Sequence, residues 1–140
     1  RQSGQYGMVI PNFVASALAG RTIEIHGDGT QTRCFCHVSD TIQALRSLMN
    51  AREIAGDIFN VGSQERISIL ELAERVKTMT GSRSGFEFIP YDEVYGLGIE
   101  DMFHRIPDID KIAGAVGWKP TKTLETILAD VVGHVRHARI

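Results

Sequence analysis

The spacing of apolar residues changes several times along the chain, and each change marks an element. After a polar, glycine-bearing opening over residues 1–7, Phe13, Val14, Ala17 and Leu18 fall on one helical face. Pro11 suits a first turn and Gly20 a helix end, so MVIPNFVASALAG predicts a helix. TIEIH alternates and predicts a strand, GDG a turn. TRCFCHV predicts a second strand, with Arg33, Phe35 and His37 on one face and Cys34 and Cys36 on the other. Ser39 or Asp40 then caps a helix whose apolar positions are Ile42, Ala44, Leu45, Leu48 and Met49. DIFNVGS is a short apolar run that reads as a buried strand ended by Gly62. Ser68 and Glu71 form a capping box for SILELAERVKTMTG, which Gly81 stops. FEFIPY predicts a strand and YDEVYGLGIEDMFHR a loop. Pro107 leads into a helix over DIDKIAGAVGW, and Thr123 opens a final amphipathic helix, TLETILADVVGHVRHARI.

The resulting order is helix, two strands, helix, strand, helix, strand and two helices, an α/β class. Such a sheet is small, and DIFNVG has the profile of a strand that needs neighbours on both edges. RQSGQYG reads like the middle of a loop, so the expectation is a piece of a longer protein whose N-terminal part supplies those neighbours. The 140 residues suffice for one modest domain, and 43% hydrophobic against 23% charged composition excludes general disorder. A net charge of -2 makes nucleic acid a poor partner. No apolar run approaches the roughly 20 residues that span a bilayer. Two cysteines one residue apart do not make a disulfide framework, and a reducing cytoplasm is the expected location.

Candidate chemistry concentrates in GDGTQTRCFCHVSD. A metal site at Cys34, Cys36 and His37 is disfavoured, because on a strand Cys34 and Cys36 share a face while His37 points away, and no second Cys or His pair has ligand spacing. Both cysteines are expected to be core thiols. GDGTQT lacks the Lys-Ser/Thr of a P-loop, and the GxGxxG dinucleotide fingerprint is absent. Arg33 admits two readings: an edge arginine paired with a carboxylate, or a fixed guanidinium that grips a phosphate bidentately. Arg105 raises the same question in a loop with Glu100, Asp101, His104 and Asp108. Trp118 reads as a core anchor.

MVIPNFVASALAG, IEIHGDGTQTRCFCHVSDTIQAL, FNVGSQERISILELAERV and HRIPDIDKIAGAVGWKPTKTLETIL, in that order, resemble the C-terminal half of the extended short-chain dehydrogenase/reductase family. These are NAD-dependent nucleotide-sugar epimerases, dehydratases and decarboxylases with a Rossmann fold. The likeness covers nearly the whole chain and is nearest to UDP-glucose 4-epimerase-like and UDP-glucuronate decarboxylase-like members.

The resemblance implies roles for individual residues. Arg33 matches the arginine that binds the substrate diphosphate, and Arg105 a second one near the diphosphate and sugar that assists chemistry in decarboxylase-like members. Glu24 and His26 match the strand lining the nucleotide base, with His26 where Tyr or Phe is usual. Met8 and Val9 match the segment crossing the nucleotide, Phe35 an aromatic facing the same pocket, Ile69 a helix start touching base or ribose, and Asn60 the cleft edge. The family's glycine-rich NAD loop and Tyr-x-x-x-Lys pair are not in this sequence and belong to the N-terminal half. The implied whole is a homodimeric enzyme acting on a UDP-sugar through a transient 4-keto intermediate, epimerase first and decarboxylase or 4,6-dehydratase second. This chain alone is expected to be inactive. The rival of another class is a non-catalytic nucleotide- or protein-binding module.

Overall fold

The computed structural model describes residues 8–91, 93 and 102–138. Its elements are α1 (Val9–Leu18), β1 (Ile23–His26), β2 (Thr32–Cys34), α2 (Val38–Asn50), β3 (Arg66–Ser68), α3 (Ile69–Thr80), β4 (Phe86–Ile89), α4 (Asp110–Val116) and α5 (Leu124–His137). The class is α/β with a parallel pair: β1 and β4 run parallel in the register Ile23↔Phe86 to His26↔Ile89. β2 and β3 form a second two-stranded sheet. Among the described residues no helix is long and apolar enough to cross a membrane.

The chain divides into two compact units, the first comprising Arg1–Thr32, Ile67–His104 and Leu128–Ile140, the second Arg33–Arg66 and Arg105–Ile127. In the first, α1 and α3 pack on each other and on β1. Helical spacing dictates the buried set: Ile10, Phe13, Val14 and Ala17 from α1, and Ile69, Leu72, Ala73 and Val76 from α3, against Ile23 and Ile25 of β1. The capping box expected at Ser68 and Glu71 is present, and Gly81 ends α3 in the left-handed conformation at φ 66°.

The second unit is built around Trp118. Ala44, Ile109, Ile112 and Trp118 form a buried cluster, packed by Cys36, Leu48, Phe59, Val61 and Val116. The indole Nε1–H donates to the Asp40 carbonyl at 3.0 Å. The Asp40 carboxylate is only 2% exposed yet fully engaged. It accepts from the Thr121 N–H at 3.0 Å, the Lys122 N–H at 2.9 Å and the Thr121 hydroxyl at 2.8 Å. Burial pushes this carboxyl up, but the three hydrogen bonds, with His37 nearby, outweigh it and hold the group below the usual 3.8.

Three expectations differ from the structure. DIFNVGS is not a strand: residues 57–65 have no ladder partner, and Ile58 is 85% exposed. The segment is instead tied by side chains, through Lys111 Nζ to Asp57 at 3.3 Å and over the Phe59 ring at 4.7 Å. The third strand is RIS, too short and too close to the Ser68 cap to stand out by alternation. TRCFCHV is a strand only to Cys34, because its partner β3 has three residues and α2 begins at Val38. His37 is therefore not a strand residue sharing a face with Arg33. It caps α2, its ring Nδ1 accepting from the Ser39 N–H at 3.1 Å. On α2 only Ala44 of the expected apolar positions is fully buried, and Ile42, Leu45 and Met49 are exposed, with Val38, along one face.

Asp40→Ala is expected to lower folding stability by about 2–3 kcal/mol in urea titration, the worth of hydrogen bonds to a buried charge. Since folding depresses this carboxyl, its contribution is present above about pH 4 and fades as pH falls through the lower folded value. Asp40→Asn should remove that part of the acid dependence.

Candidate functional site

The glycine turn between β1 and β2 is held from several sides. Asp28 Oδ1 accepts from the Thr30 N–H at 2.9 Å and the Thr30 hydroxyl at 2.7 Å, an Asx turn that lowers the Asp28 carboxyl. Gly27 has φ 74°, and a Cβ there would lie 2.5 Å from the Tyr91 ring, so only glycine fits. The carbonyls of the turn are directed at a helix. Gln31 C=O accepts the Ile69 N–H and Gly29 C=O the Leu70 N–H, each at 3.0 Å. The turn thus caps α3 and is no phosphate cradle.

Gln31 closes the turn from within. It is 5% exposed, and its Nε2 donates to the His26 carbonyl at 2.7 Å. His26 ends β1 half-buried, and Glu24 projects to solvent opposite Glu87.

Arg33 is the middle residue of β2 and is half-buried. Immediately before it, Thr32 forms an isolated parallel bridge with His104. The Thr32 N–H donates to the Phe103 carbonyl at 2.9 Å, and Thr32 Oγ1 lies 3.0 Å from His104 Nδ1. Arg33 and the exposed Arg105 each follow by one residue, so the bridge brings the two arginine positions into register. In a parallel pairing, residues at equal offsets share a face.

The segment after Arg105 is also fixed. Asn60 Nδ2 donates to the Asp108 carbonyl at 3.2 Å, and Gln64 Nε2 to the Pro107 carbonyl at 3.4 Å. Gly62 lies so close to Pro107 that a Cβ would come within 2.8 Å of its ring. Asn60, expected at the cleft edge, therefore spends its amide on the backbone of the arginine segment.

The remaining candidates are placed as follows. Met8 is exposed at the N-cap of α1, and Val9, half-buried, begins that helix. Phe35 is half-buried just beyond β2. Ile69 is buried at the start of α3, so its side chain belongs to the core. Glu100 and Asp101 lie outside the described residues. Gln31 and Thr32 were not singled out from the sequence, and His104 was named only as a neighbour of Arg105. A buried glutamine inside a glycine turn is a weak sequence signal, and a contact between positions 72 apart gives none.

Cys34 and Cys36 are half-buried rather than fully buried, and Cys36 packs against the Trp118 core cluster. The Thr41 hydroxyl donates to Cys36 Sγ at 3.6 Å. Burial pushes both thiols above their usual value. Among the described residues no three of His, Cys, Asp or Glu are grouped to hold a metal.

A family model described as GDP-mannose 4,6 dehydratase matches residues 1–131. UDP-N-acetyl-alpha-D-glucosaminuronate decarboxylase of Bacillus cytotoxicus is 35% identical over 94% of this chain and 40% of its own length. UDP-glucuronic acid decarboxylase 1 of Danio rerio is 39% identical over 85% of this chain and 27% of its own. Among solved structures, UDP-glucose 4-epimerase of Thermotoga maritima with UDP-glucose superposes with a TM-score of 0.85 at 26% identity, over 96% of this chain and 42% of that one. MoeE5 in complex with UDP-glucose and NAD superposes with a TM-score of 0.84 at 26% identity, over 95% and 42%. The chain thus spans about two fifths or less of the length of these relatives.

Two outcomes are expected at the cysteines. With raised thiols, alkylation by iodoacetamide at neutral pH should be slower than for a free cysteine, and should accelerate as pH rises past 9. Metal analysis of the purified protein should find no stoichiometric zinc. A full equivalent lost on Cys34→Ser would overturn the dismissal of a metal site.

Proposed function

Because the chain belongs to the family of GDP-mannose 4,6-dehydratase and the NAD-dependent nucleotide-sugar epimerases and decarboxylases, we propose that it is the substrate-binding portion of such an enzyme and takes a UDP-sugar. The observation that carries this reading is the register of Arg33 and Arg105 set by the Thr32–His104 bridge. A nucleoside diphosphate presents two adjacent negative charges, and two guanidinium groups from paired segments can meet them with charge-assisted bidentate bonds. Glu24 and His26 at the end of β1, Met8 and Val9 at the start of α1, and Phe35 beyond β2 are proposed contacts to the nucleoside. Ile69, with its side chain in the core, would serve through the helix start it anchors.

The family is NAD-dependent, and NAD supplies hydride removal and return at the sugar. Among the described residues no glycine turn offers its amides to the phosphates of NAD. The glycine turn between β1 and β2, which meets the N-terminus of α3, directs its carbonyls, not its amides, at that helix, and no Tyr-x-x-x-Lys pair is present in the sequence. We therefore assign NAD and the acid/base pair to the part of the relatives that this chain does not match, and expect this chain alone not to turn over substrate. The exposed apolar face of α2 and the unladdered segment 57–65 are proposed seats for that part. The task of this chain is then to hold the diphosphate, so that binding energy from the nucleotide fixes the sugar for chemistry elsewhere.

Between reactions, loss of the C6 carboxylate of a UDP-uronate as carbon dioxide is favoured, because the relatives of 35% and 39% identity are decarboxylases whereas the epimerase stands at 26%. C4 epimerisation is the second reading, favoured by that epimerase's TM-score of 0.85.

In the intact enzyme, Arg33→Ala is expected to weaken UDP binding by about 1.5–3 kcal/mol, the worth of a hydrogen bond to a charged group. Unchanged affinity by calorimetry would remove the role assigned to Arg33. Incubation with UDP-glucuronate, read by NMR, should yield a UDP-pentose. A UDP-hexuronate inverted at C4 would establish the epimerase instead.

A further inference from the structure

We propose that Thr32 and His104 are positioning residues, a latch on one face of a parallel bridge that sets the spacing of the two arginines on the other. The inference rests on the diphosphate reading above and assigns a cause to the geometry it uses. The strand carrying Arg33 has three residues, too few to aim a long side chain by itself. Arg105 follows an isolated bridge, not a regular strand. What joins the two segments ahead of the arginines is the backbone bond from the Thr32 N–H to Phe103 C=O and the side-chain bond between Thr32 Oγ1 and His104 Nδ1. The His104 ring is further steadied edge-to-face against Phe103, at 5.6 Å between centroids and 86° between planes.

Alternation does the rest. Thr32 and His104 share one face, so Arg33 and Arg105, one residue on, share the opposite face. The latch is thereby kept off the ligand and acts only through the arginines. Beyond them, Asn60, Gln64 and the close approach of Gly62 fix Pro107 and Asp108, so Arg105 is held on both sides. Breaking the Thr32–His104 bond leaves one side loose, and the second arginine swings more widely before it meets the anion.

The test is UDP affinity by calorimetry on the intact enzyme. Thr32→Val, which keeps the shape and removes the hydroxyl, should weaken UDP binding about fivefold to tenfold, the scale of one lost hydrogen bond. Thr32→Ser should restore most of it. His104→Ala, at an exposed position that tolerates truncation, should weaken binding comparably if Thr32→Val folds poorly. The decisive readout is the cycle with Arg105→Ala: a positioning role requires that Thr32→Val cost nothing further in that background. An equal loss in both backgrounds, or wild-type affinity in Thr32→Val and His104→Ala, overturns the latch while the diphosphate reading stands. Wild-type affinity in both Arg33→Ala and Arg105→Ala overturns the diphosphate reading, and the latch with it.

Discussion

Two like charges brought into register repel each other, and on the proposed reading the bonds around Arg33 and Arg105 hold them against that repulsion. Paired segments lie about 4.8 Å apart, so Arg33 and Arg105 start from neighbouring backbone positions. Any two unit charges about 6 Å apart cost of order 0.7–3 kcal/mol between water and a half-buried surface. Side chains this long splay in water, and on the proposed reading the diphosphate draws them together. The backbone has to supply the register independently, since the arginines oppose it. It does so with the Thr32–Phe103 and Thr32–His104 bonds before the pair, and with Asn60, Gln64 and Gly62 on the residues after it.

Asn60 and Gln64 can act in this way only if segment 57–65 is itself held, and it has no ladder partner. Phe59 and Val61 pack on the Trp118 cluster, which is organised by Asp40. A buried carboxylate that accepts three hydrogen bonds is stable where an unpaired one would not be. Its partners Thr121 and Lys122 lie 81 and 82 positions away in sequence, so one side chain closes a long loop. Glu65 makes a similar link, accepting the Leu124 N–H at 3.0 Å. Secondary structure in the second unit is sparse, and such side-chain-to-backbone bonds replace the ladders it lacks.

What the sequence made legible follows from range. Helix periods, the Ser68–Glu71 box, the Gly81 stop and the buried Trp118 depend on residues within a few positions, or on burial alone, and all were readable. The strand expected at DIFNVGS failed because an apolar run states a wish for burial, not a hydrogen-bonding partner. Phe59 and Val61 satisfy that wish through side chains, and Ile58 remains outside. His37 alternated with Arg33 and Phe35 as a strand residue should, yet its ring serves better as a helix cap two residues before Ser39. Arg33 and Arg105 were paired by family likeness alone, since the bond that puts them in register spans 72 positions.

The glycine turn illustrates how one motif can carry charge logic opposite to its appearance. A helix N-terminus following a glycine turn ordinarily favours an anion through its free amides and dipole. At α3 the first three amides are already taken: Ile69 by Gln31 C=O, Leu70 by Gly29 C=O, and Glu71 by the Ser68 hydroxyl. The Glu71 carboxylate also sits there, held below its usual value first by the Ser68 backbone N–H and then by the Ser68 hydroxyl. An approaching phosphate would meet satisfied donors and a negative charge. This end of the helix therefore disfavours the anion that the glycines suggest, and the proposed anion recognition falls to side chains. Guanidinium groups suit that role better than ammonium groups, because a planar fork can bind two oxygens at once while the backbone beneath it stays fixed.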